Sequence, residues 1–286
     1  ALDANTTGAN NVGIGSGALG TNTTGSPNTA VGYQAGYSNT TAIRNTFVGY
    51  QSGFNTTTGS TNNAFGHETL LTNETGVGNC AFGQQSLKLV TGSSNSGYGY
   101  ATGVDVTTGT NNLFLGNNAG RSTSPSGSVT TGSNNVVLGD NSITNLYCAD
   151  TSISSSDSRD KTDITNFTAG LDFVTSLNPV TYKWDKRVWY VEDNASSEEV
   201  LNAVPDGTHK RDKLHIGFLA QDVLALEQSI GYATNKENML TVNLNEDDTA
   251  YGLKYERLVP ILVNAIKELK TKNDALEARL SALENG

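Results

Sequence analysis

The sequence predicts an all-β repeat shaft, a β-roll or β-helix of ~17-residue repeats, then a small α+β domain with a C-terminal coiled-coil helix. Three observations carry this. Asn11, Asn28, Asn45, Asn62, Asn79, Asn95, Asn112 and Asn135 each stand four residues ahead of a glycine, and those glycines step by 17, 17, 17, 17, 16, 17 and 23. Charge is sparse in residues 1–150, which hold three Lys/Arg and six Asp/Glu, leaving 15 and 22 for residues 151–286. Leu262, Leu269, Leu276 and Leu283 recur every seven residues at the far end.

The repeat comes first. Short apolar runs precede the glycines: Val12 and Ile14, Ala30 and Val31, Phe47 and Val48, Ala64 and Phe65, Ala81 and Phe82, Leu113 to Leu115, Val136 to Leu138. A brief β-prone run bounded by Asn, Thr and Gly reads as a strand followed by a turn. Interior glycines cost a helix about 0.5–1 kcal/mol each, so helix is disfavoured. One coil therefore reads as two short strands and two tight turns. Such a coil buries only a few apolar side chains. These do not offset an ordering cost of about 1–2 kcal/mol per residue. Several chains sharing a core, most simply three around one axis, are expected. The pattern resembles the head repeats of trimeric bacterial adhesins and of repeat-rich phage tail fibres.

The acidic balance, net −10 with no basic cluster, argues against nucleic acid as a partner. No run of 18 apolar residues exists, so no membrane insertion is expected. Ala1-Leu2-Asp3 shows no basic leader region, and no secretory signal is expected. Cys80 and Cys148 fit no metal spacing, and no metal or other cofactor is expected. Tyr33, Gln34, Tyr37, Tyr50, Gln51, His67, Tyr98 and Tyr100 suit contacts with sugar faces and hydroxyls, beside their ordinary use in turns.

Past residue 150 the chain reads as mixed α+β. A helix is expected over 167–177, ended by Pro179, then a strand at 180–184. Residues 191–211 are polar and insertion-like. Strands are expected at 214–220 and 240–244, with a helix beginning at Asp222. In the last helix Leu262, Leu269, Leu276 and Leu283 take the d positions and Ile266, Asn273 and Leu280 the a positions. A strict period of 3.5 specifies a supercoil, and Asn at a fixes register.

Between the two regimes lies a Ser/Asp connector in which Ser156 precedes Lys161 by five residues. A serine hydroxyl is a weak nucleophile until a base takes its proton. A lysine does so only when neutral. Lowering its value by roughly three units from about 10.4 costs about 4 kcal/mol and demands a desolvated site. Such a dyad stays silent until assembly creates its surroundings.

Four motifs then follow in one order. They are Ser156-Asp157-x-Arg159-x-Lys161-x-Asp163-Ile164; Leu177-Asn178-Pro179-Val180-Thr181-Tyr182-Lys183-Trp184; His215-Ile216-Gly217-Phe218-Leu219-Ala220-Gln221-Asp222-Val223; and Tyr255-Glu256-Arg257-Leu258-Val259-Pro260-Ile261-Leu262. Together they resemble the C-terminal intramolecular chaperone of phage tailspikes and fibres, the S74 peptidase family. That family also includes the autocleaving region of a eukaryotic membrane-bound transcription factor. The resemblance spans 156–286 and implies trimerisation, folding of the fibre, then a single self-cleavage before the serine, with no turnover on other substrates. Carried over, Ser156 is the nucleophile, Lys161 its base, and Ser155–Ser156 the bond cut. His215 and Gln221 match motif positions that orient the dyad or hold the oxyanion; His215 reads equally well as a packed strand residue. Asp160 departs from the Leu expected between Arg159 and Lys161, and an acid there favours the charged ammonium and slows the cut.

The repeat and the charge boundary near 150 give a shaft domain at 1–150, and the resemblance implies a chaperone/autoprotease domain at 151–286. The implied partners are two further copies of the chain, other tail proteins, and a host surface glycan or receptor. The implied location is the virion, with the chaperone part released in the host cytoplasm after cleavage. Two alternatives stay open at this point: an uncleaved trimeric bacterial adhesin, and a glycan-depolymerising tailspike.

Overall fold

The structure is a computed structural model that describes residues 1–146 and 156–285. It divides into two compact units. The first comprises residues 1–144 together with 185–209 and 245–249; the second comprises 145–184, 210–244 and 250–286.

The first unit is a parallel β-solenoid. Eight three-residue strands, β1 (Val12–Ile14), β2 (Thr29–Val31), β3 (Thr46–Val48), β4 (Asn63–Phe65), β5 (Cys80–Phe82), β6 (Ser96–Tyr98), β7 (Leu113–Leu115) and β8 (Val136–Leu138), form one sheet in sequence order. The pairing register repeats the glycine step: Ala30 lies beside Phe47, Phe47 beside Ala64, and Phe114 beside Val137 across the 23-residue interval. Each coil contributes one strand, not the two expected. Beyond each strand the chain turns through left-handed residues, such as Gln34 (φ 53) and Gly36 (φ 58), which a continuing strand cannot adopt. Its amides there bond the neighbouring coil instead, as Leu19 N–H to the Ala35 carbonyl at 3.0 Å.

The motif residues now have physical duties. From Asn28 to Asn112 the ladder asparagines are buried, and the Oδ1 of each accepts the backbone N–H of the next: Asn28 to Asn45 at 3.0 Å, Asn45 to Asn62 at 2.8 Å, Asn62 to Asn79 at 2.9 Å. The same side chains donate Nδ2 to carbonyls fourteen residues on, Asn45 to Gly59 and Asn62 to Gly76, both at 2.9 Å. Loop backbone that no strand satisfies is thus paired, as burial demands. The glycine is obligatory because the coils pack there backbone on backbone. At Gly49 φ is +132, and a Cβ would lie 2.7 Å from the Gly66 carbonyl carbon.

The solenoid core runs along its axis and is matched in volume between coils. The middle residue of each strand points inward. Phe47 and Phe114 are fully buried. Around Phe47 the turns carry Gly36 and Gly53, where a Cβ would strike the ring; Gly103 and Gly120 make the same room for Phe114. Where the strand supplies only Gly13, Ala64 or Ala81, the turn position six residues on carries buried Leu19, Leu70 or Leu87. Large and small side chains alternate so that the interior stays filled.

The loops at 185–209 and 245–249 belong to this unit. A helix, α2 (Ser197–Asn202), forms within the stretch read as polar and insertion-like, and a reciprocal capping box between Ser196 and Glu199 starts it. The Asp247 carboxylate accepts from Ser128 N–H at 2.9 Å and from the Ser197 hydroxyl at 3.1 Å. Glu246 N–H donates to the Ser126 carbonyl at 2.9 Å. These contacts fall on residues 121–128, the extra length that stretches the last repeat to 23.

The second unit is the α+β region. Helix α1 (Leu171–Ser176) is shorter than the sequence suggests, because its first turn begins after Gly170. Strand β9 (Val180–Tyr182) pairs antiparallel with β10 (His215–Gly217). Helix α3 (Ala220–Ser229) follows, then the hairpin β11 (Val242–Leu244) and β12 (Tyr251–Leu253). Helix α4 (Leu258–Glu284) closes the chain with 27 residues. Its core, with Phe173, Val223, Val242 and Ile261, is small. No helix among the described residues is long and apolar enough to cross a membrane.

Candidate active site

A single tight turn builds the dyad. Residues Ser158–Asp160 make one 3-10 turn, capped by the Asp157 side chain, which accepts from Arg159 N–H at 2.9 Å. The Arg159 guanidinium grips the same carboxylate, with Nη2 and Oδ2 2.5 Å apart. That grip holds the Asp157 carboxyl below the usual carboxylate range and pushes the guanidinium up. The chain leaves the turn at Lys161, whose N–H donates to the Ser158 carbonyl at 3.4 Å. Residues five apart are thereby folded back on one another, and Lys161 Nζ donates to Ser156 Oγ at 2.7 Å. The hydroxyl and the amine thus stand within the hydrogen-bond reach that a serine nucleophile and its base would need. All six residues of 156–161 are exposed. Ser155 and Cys148 lie outside the described residues.

His215 and Gln221 are not joined to the dyad by any described hydrogen bond. His215 stacks on Tyr182, its cross-strand partner, at 5.5 Å and meets Trp184 edge-on at 6.2 Å. Gln221 is exposed in the first turn of α3.

Several residues outside the expected site hold the second unit's elements in place. Glu227 is fully buried and accepts from Leu240 N–H at 2.9 Å, Thr241 N–H at 2.6 Å, Val242 N–H at 3.1 Å and the Thr241 hydroxyl. It ties α3 to β11. Its signal was a carboxyl one helical turn after Val223, on the face that is buried. Tyr255 Oη accepts from Phe218 N–H at 3.2 Å, just past β10. Burial raises the Tyr182 phenol, with Tyr255 adding to the effect. Asn264 donates to the Phe167 carbonyl at 2.8 Å, and Glu268 accepts from Leu171 N–H at 3.1 Å, so α4 caps and positions α1.

In the solenoid, the aromatic residues singled out from the sequence form ladders. Tyr33, Tyr50 and His67 stack at 5.4 and 5.0 Å, Phe65, Phe82 and Tyr98 at 4.6 and 5.3 Å, and Tyr37 on Phe54 at 5.5 Å. Gln51 donates to Gln34 at 2.9 Å. Tyr50, with a ring on each side, has both faces engaged, which leaves its edge and hydroxyl for any other contact. Tyr100 is exposed. Among the described residues no cluster of His, Cys, Asp and Glu has the arrangement to hold a metal ion.

Residues 156–231 match the Peptidase_S74 family model, described as chaperone of endosialidase. The match opens on Ser156 itself and takes in Lys161, His215 and Gln221. It stops before Tyr255 and α4. No curated protein and no solved structure matches the chain.

Proposed function

From this chaperone-of-endosialidase region, which fits a chaperone role in a phage tail fibre or tailspike, we propose that the chain is a section of such a fibre that folds with its own helper. Three copies are gathered through α4, the solenoids then form side by side, and the helper is cut off before Ser156. The 2.7 Å contact between Lys161 Nζ and Ser156 Oγ supports the last step more than any other observation.

The chemistry follows from those two atoms. Ser156 Oγ attacks the carbonyl carbon of residue 155 while the neutral lysine amine takes the hydroxyl proton. That proton passes to the peptide nitrogen as its bond to carbon breaks, leaving an ester through Oγ. Water then hydrolyses the ester, giving a carboxylate at residue 155 and a free amine and hydroxyl at Ser156. A lysine works as base only when desolvated, and the exposed turn of one chain supplies little burial. Assembly is the event that would cover it, which makes the cut a report on completed folding.

The exposed stripe on α4 supports the gathering step. Ile261 and Ala265 face the unit's own core, whereas Leu262, Ile266, Leu269, Leu276, Leu280 and Leu283 are exposed along another face. A heptad of this kind is stable only against like helices. Once the helper is gone, a rod formed this way is trapped kinetically.

Intact-mass analysis of freshly assembled wild type, Ser156→Ala and Lys161→Ala is the test. Two fragments split between 155 and 156 are expected from wild type only, and Asp160→Leu is expected to speed the split. A single intact mass from assembled wild type would overturn the cleavage step and favour a permanent cap.

A further inference from the structure

The solenoid strands carry an outward face as regular as the inward one. Because side chains alternate across a strand, the first and third residues of each strand point away from the core. The third positions read Ile14, Val31, Val48, Phe65, Phe82, Tyr98, Leu115 and Leu138. This column is apolar or aromatic in all eight coils, and none of the 24 strand residues is charged. Exposure along it reaches 60% at Ile14, 41% at Tyr98 and 42% at Leu138. The column spans seven strand spacings, about 34 Å.

We propose that this column is the surface on which the solenoids of further copies of the same chain pack, with like residues of each copy facing one another at each level. The proposal rests on the assembly reading above and adds its location on the shaft.

Three arguments select a second copy over any other occupant. A partner must offer apolar groups at the rise of one strand, about 4.8 Å, for eight levels without a charge; a copy of this solenoid does so by construction. Ile14, Phe82, Tyr98, Leu115 and Leu138 are exposed and Val31, Val48 and Phe65 half-buried; with roughly 150–250 Å² for each aromatic side chain and less for the others, the column offers on the order of 600 Å². That approaches the roughly 800 Å² per partner of a stable interface. Finally, the exposed heptad face of α4 independently calls for like chains, parallel and in register, the condition under which identical levels meet. The first-position column, with Thr29, Thr46, Asn63, Cys80 and Ser96 through its middle, suits the rim of such a contact. Polar rims around apolar centres are usual at interfaces.

The test uses the full chain in a Cys80→Ser, Cys148→Ser background. Leu115→Cys and Val48→Cys are treated with a short bis-maleimide, with exposed Thr58→Cys as the control. Cross-linked chains are expected from the two column variants and not from the control. In parallel, Phe82→Lys with Leu115→Lys is followed by sedimentation, circular dichroism and protease digestion. Assembly through α4 is expected to persist while the shaft loses its protection from protease. If wild type sediments as a monomer, the assembly reading itself fails. If it sediments as an oligomer, but neither column cysteine cross-links and the double lysine variant keeps its protected shaft, assembly stands and this surface is wrong.

Discussion

Thr56→Asn should stabilise the shaft, because it repairs a break in a second asparagine ladder. Asn5, Asn22, Asn39 and Asn73 occupy one turn position seventeen residues apart, and Thr56 stands where the series skips. Asn22 Nδ2 donates to Asn5 Oδ1 at 2.7 Å and Asn39 Nδ2 to Asn22 Oδ1 at 2.9 Å. There the ladder stops: Asn39 Oδ1, Thr56 Oγ1 and Asn73 Oδ1 are all buried without a partner. The backbone does not differ at the break. Thr56 N–H bonds the Gly53 carbonyl at 3.1 Å, as Asn39 bonds Gly36 at 3.1 Å and Asn73 bonds Leu70 at 3.3 Å. An asparagine at 56 would give its Nδ2 to Asn39 Oδ1 and receive Asn73 Nδ2. Two buried hydrogen bonds are worth about 1–3 kcal/mol. The lost threonine methyl subtracts about 0.8 kcal/mol. The net gain is about 0.2–2 kcal/mol, or a rise in Tm of up to roughly 8 °C for a unit of this size. Calorimetry on the full chain reads it, with Asn39→Thr as the reverse change; that variant loses the bond to Asn22 and should melt lower. If Thr56→Asn melts at or below wild type, ladder continuity is not what these asparagines contribute.

Other substitutions probe the remaining contacts. Phe47→Ala should cost about 3–5 kcal/mol by denaturant unfolding, and adding Gly53→Leu should recover part of it, since the empty ring space lies where Leu70 sits one coil on. Glu227→Ala strips three N–H groups of β11 and its approach of their acceptor, and should speed hydrogen exchange at Leu240, Thr241 and Val242 by roughly 5- to 150-fold, the equivalent of about 1–3 kcal/mol per unpaired group. The Asp157–Arg159 contact has a stated pH window. A carboxyl held below its ordinary value of about 3.9 adds stability that is complete above that value and fades as pH falls through the lowered one. Proton shifts of Arg159 should therefore move below about pH 4 and stay constant above it.

The shaft was legible because its pairing is written as arithmetic. A glycine step of 17 is also the register, so Phe47 meets Ala64 with no reference to distant sequence. The missing second strand was not legible, since Gln34 and Leu19 give no sign of a left-handed backbone until the neighbouring coil imposes it. The exchange between Phe47 and its paired Gly36 and Gly53 is visible in the sequence only once the coil geometry says which residues share a level. In the second unit the turn at 156–161 is local, and spacing alone brought Ser156 to Lys161. Strand β12 escaped notice because Tyr251-Gly252-Leu253 is short and interrupted by glycine. The duties of Glu227, Asn264 and Glu268 rest on contacts 13 to 97 residues away, a range where periodicity is silent. Helix α2 could have been found, for Ser196-x-x-Glu199 is a capping signature.

The first compact unit holds residues from both sides of the proposed cut, and this changes what cutting should do. Residues 185–209 and 245–249 lie after Ser156, yet they bond the end of the solenoid. Asn118 donates to Asp193 at 2.7 Å, Lys186 to Asn141 at 2.8 Å and Trp189 Nε1 to the Asn141 carbonyl at 3.3 Å. Asp247 and Glu246 hold Ser128 and Ser126, both at 2.9 Å. Five hydrogen bonds of about 0.5–1.5 kcal/mol, three of them with a charged partner and so stronger, sum to several kcal/mol. Breaking one peptide bond removes none of them. The cut fragment should therefore stay on the shaft and leave in a separate, salt-dependent step. A protease site placed between 150 and 155 separates this question from self-cleavage. After digestion, gel filtration at low salt should find both pieces in one peak, and Asp193→Asn with Asp247→Asn should split that peak. Two peaks from the unsubstituted chain at low salt would mean that the covalent link alone keeps the loops seated.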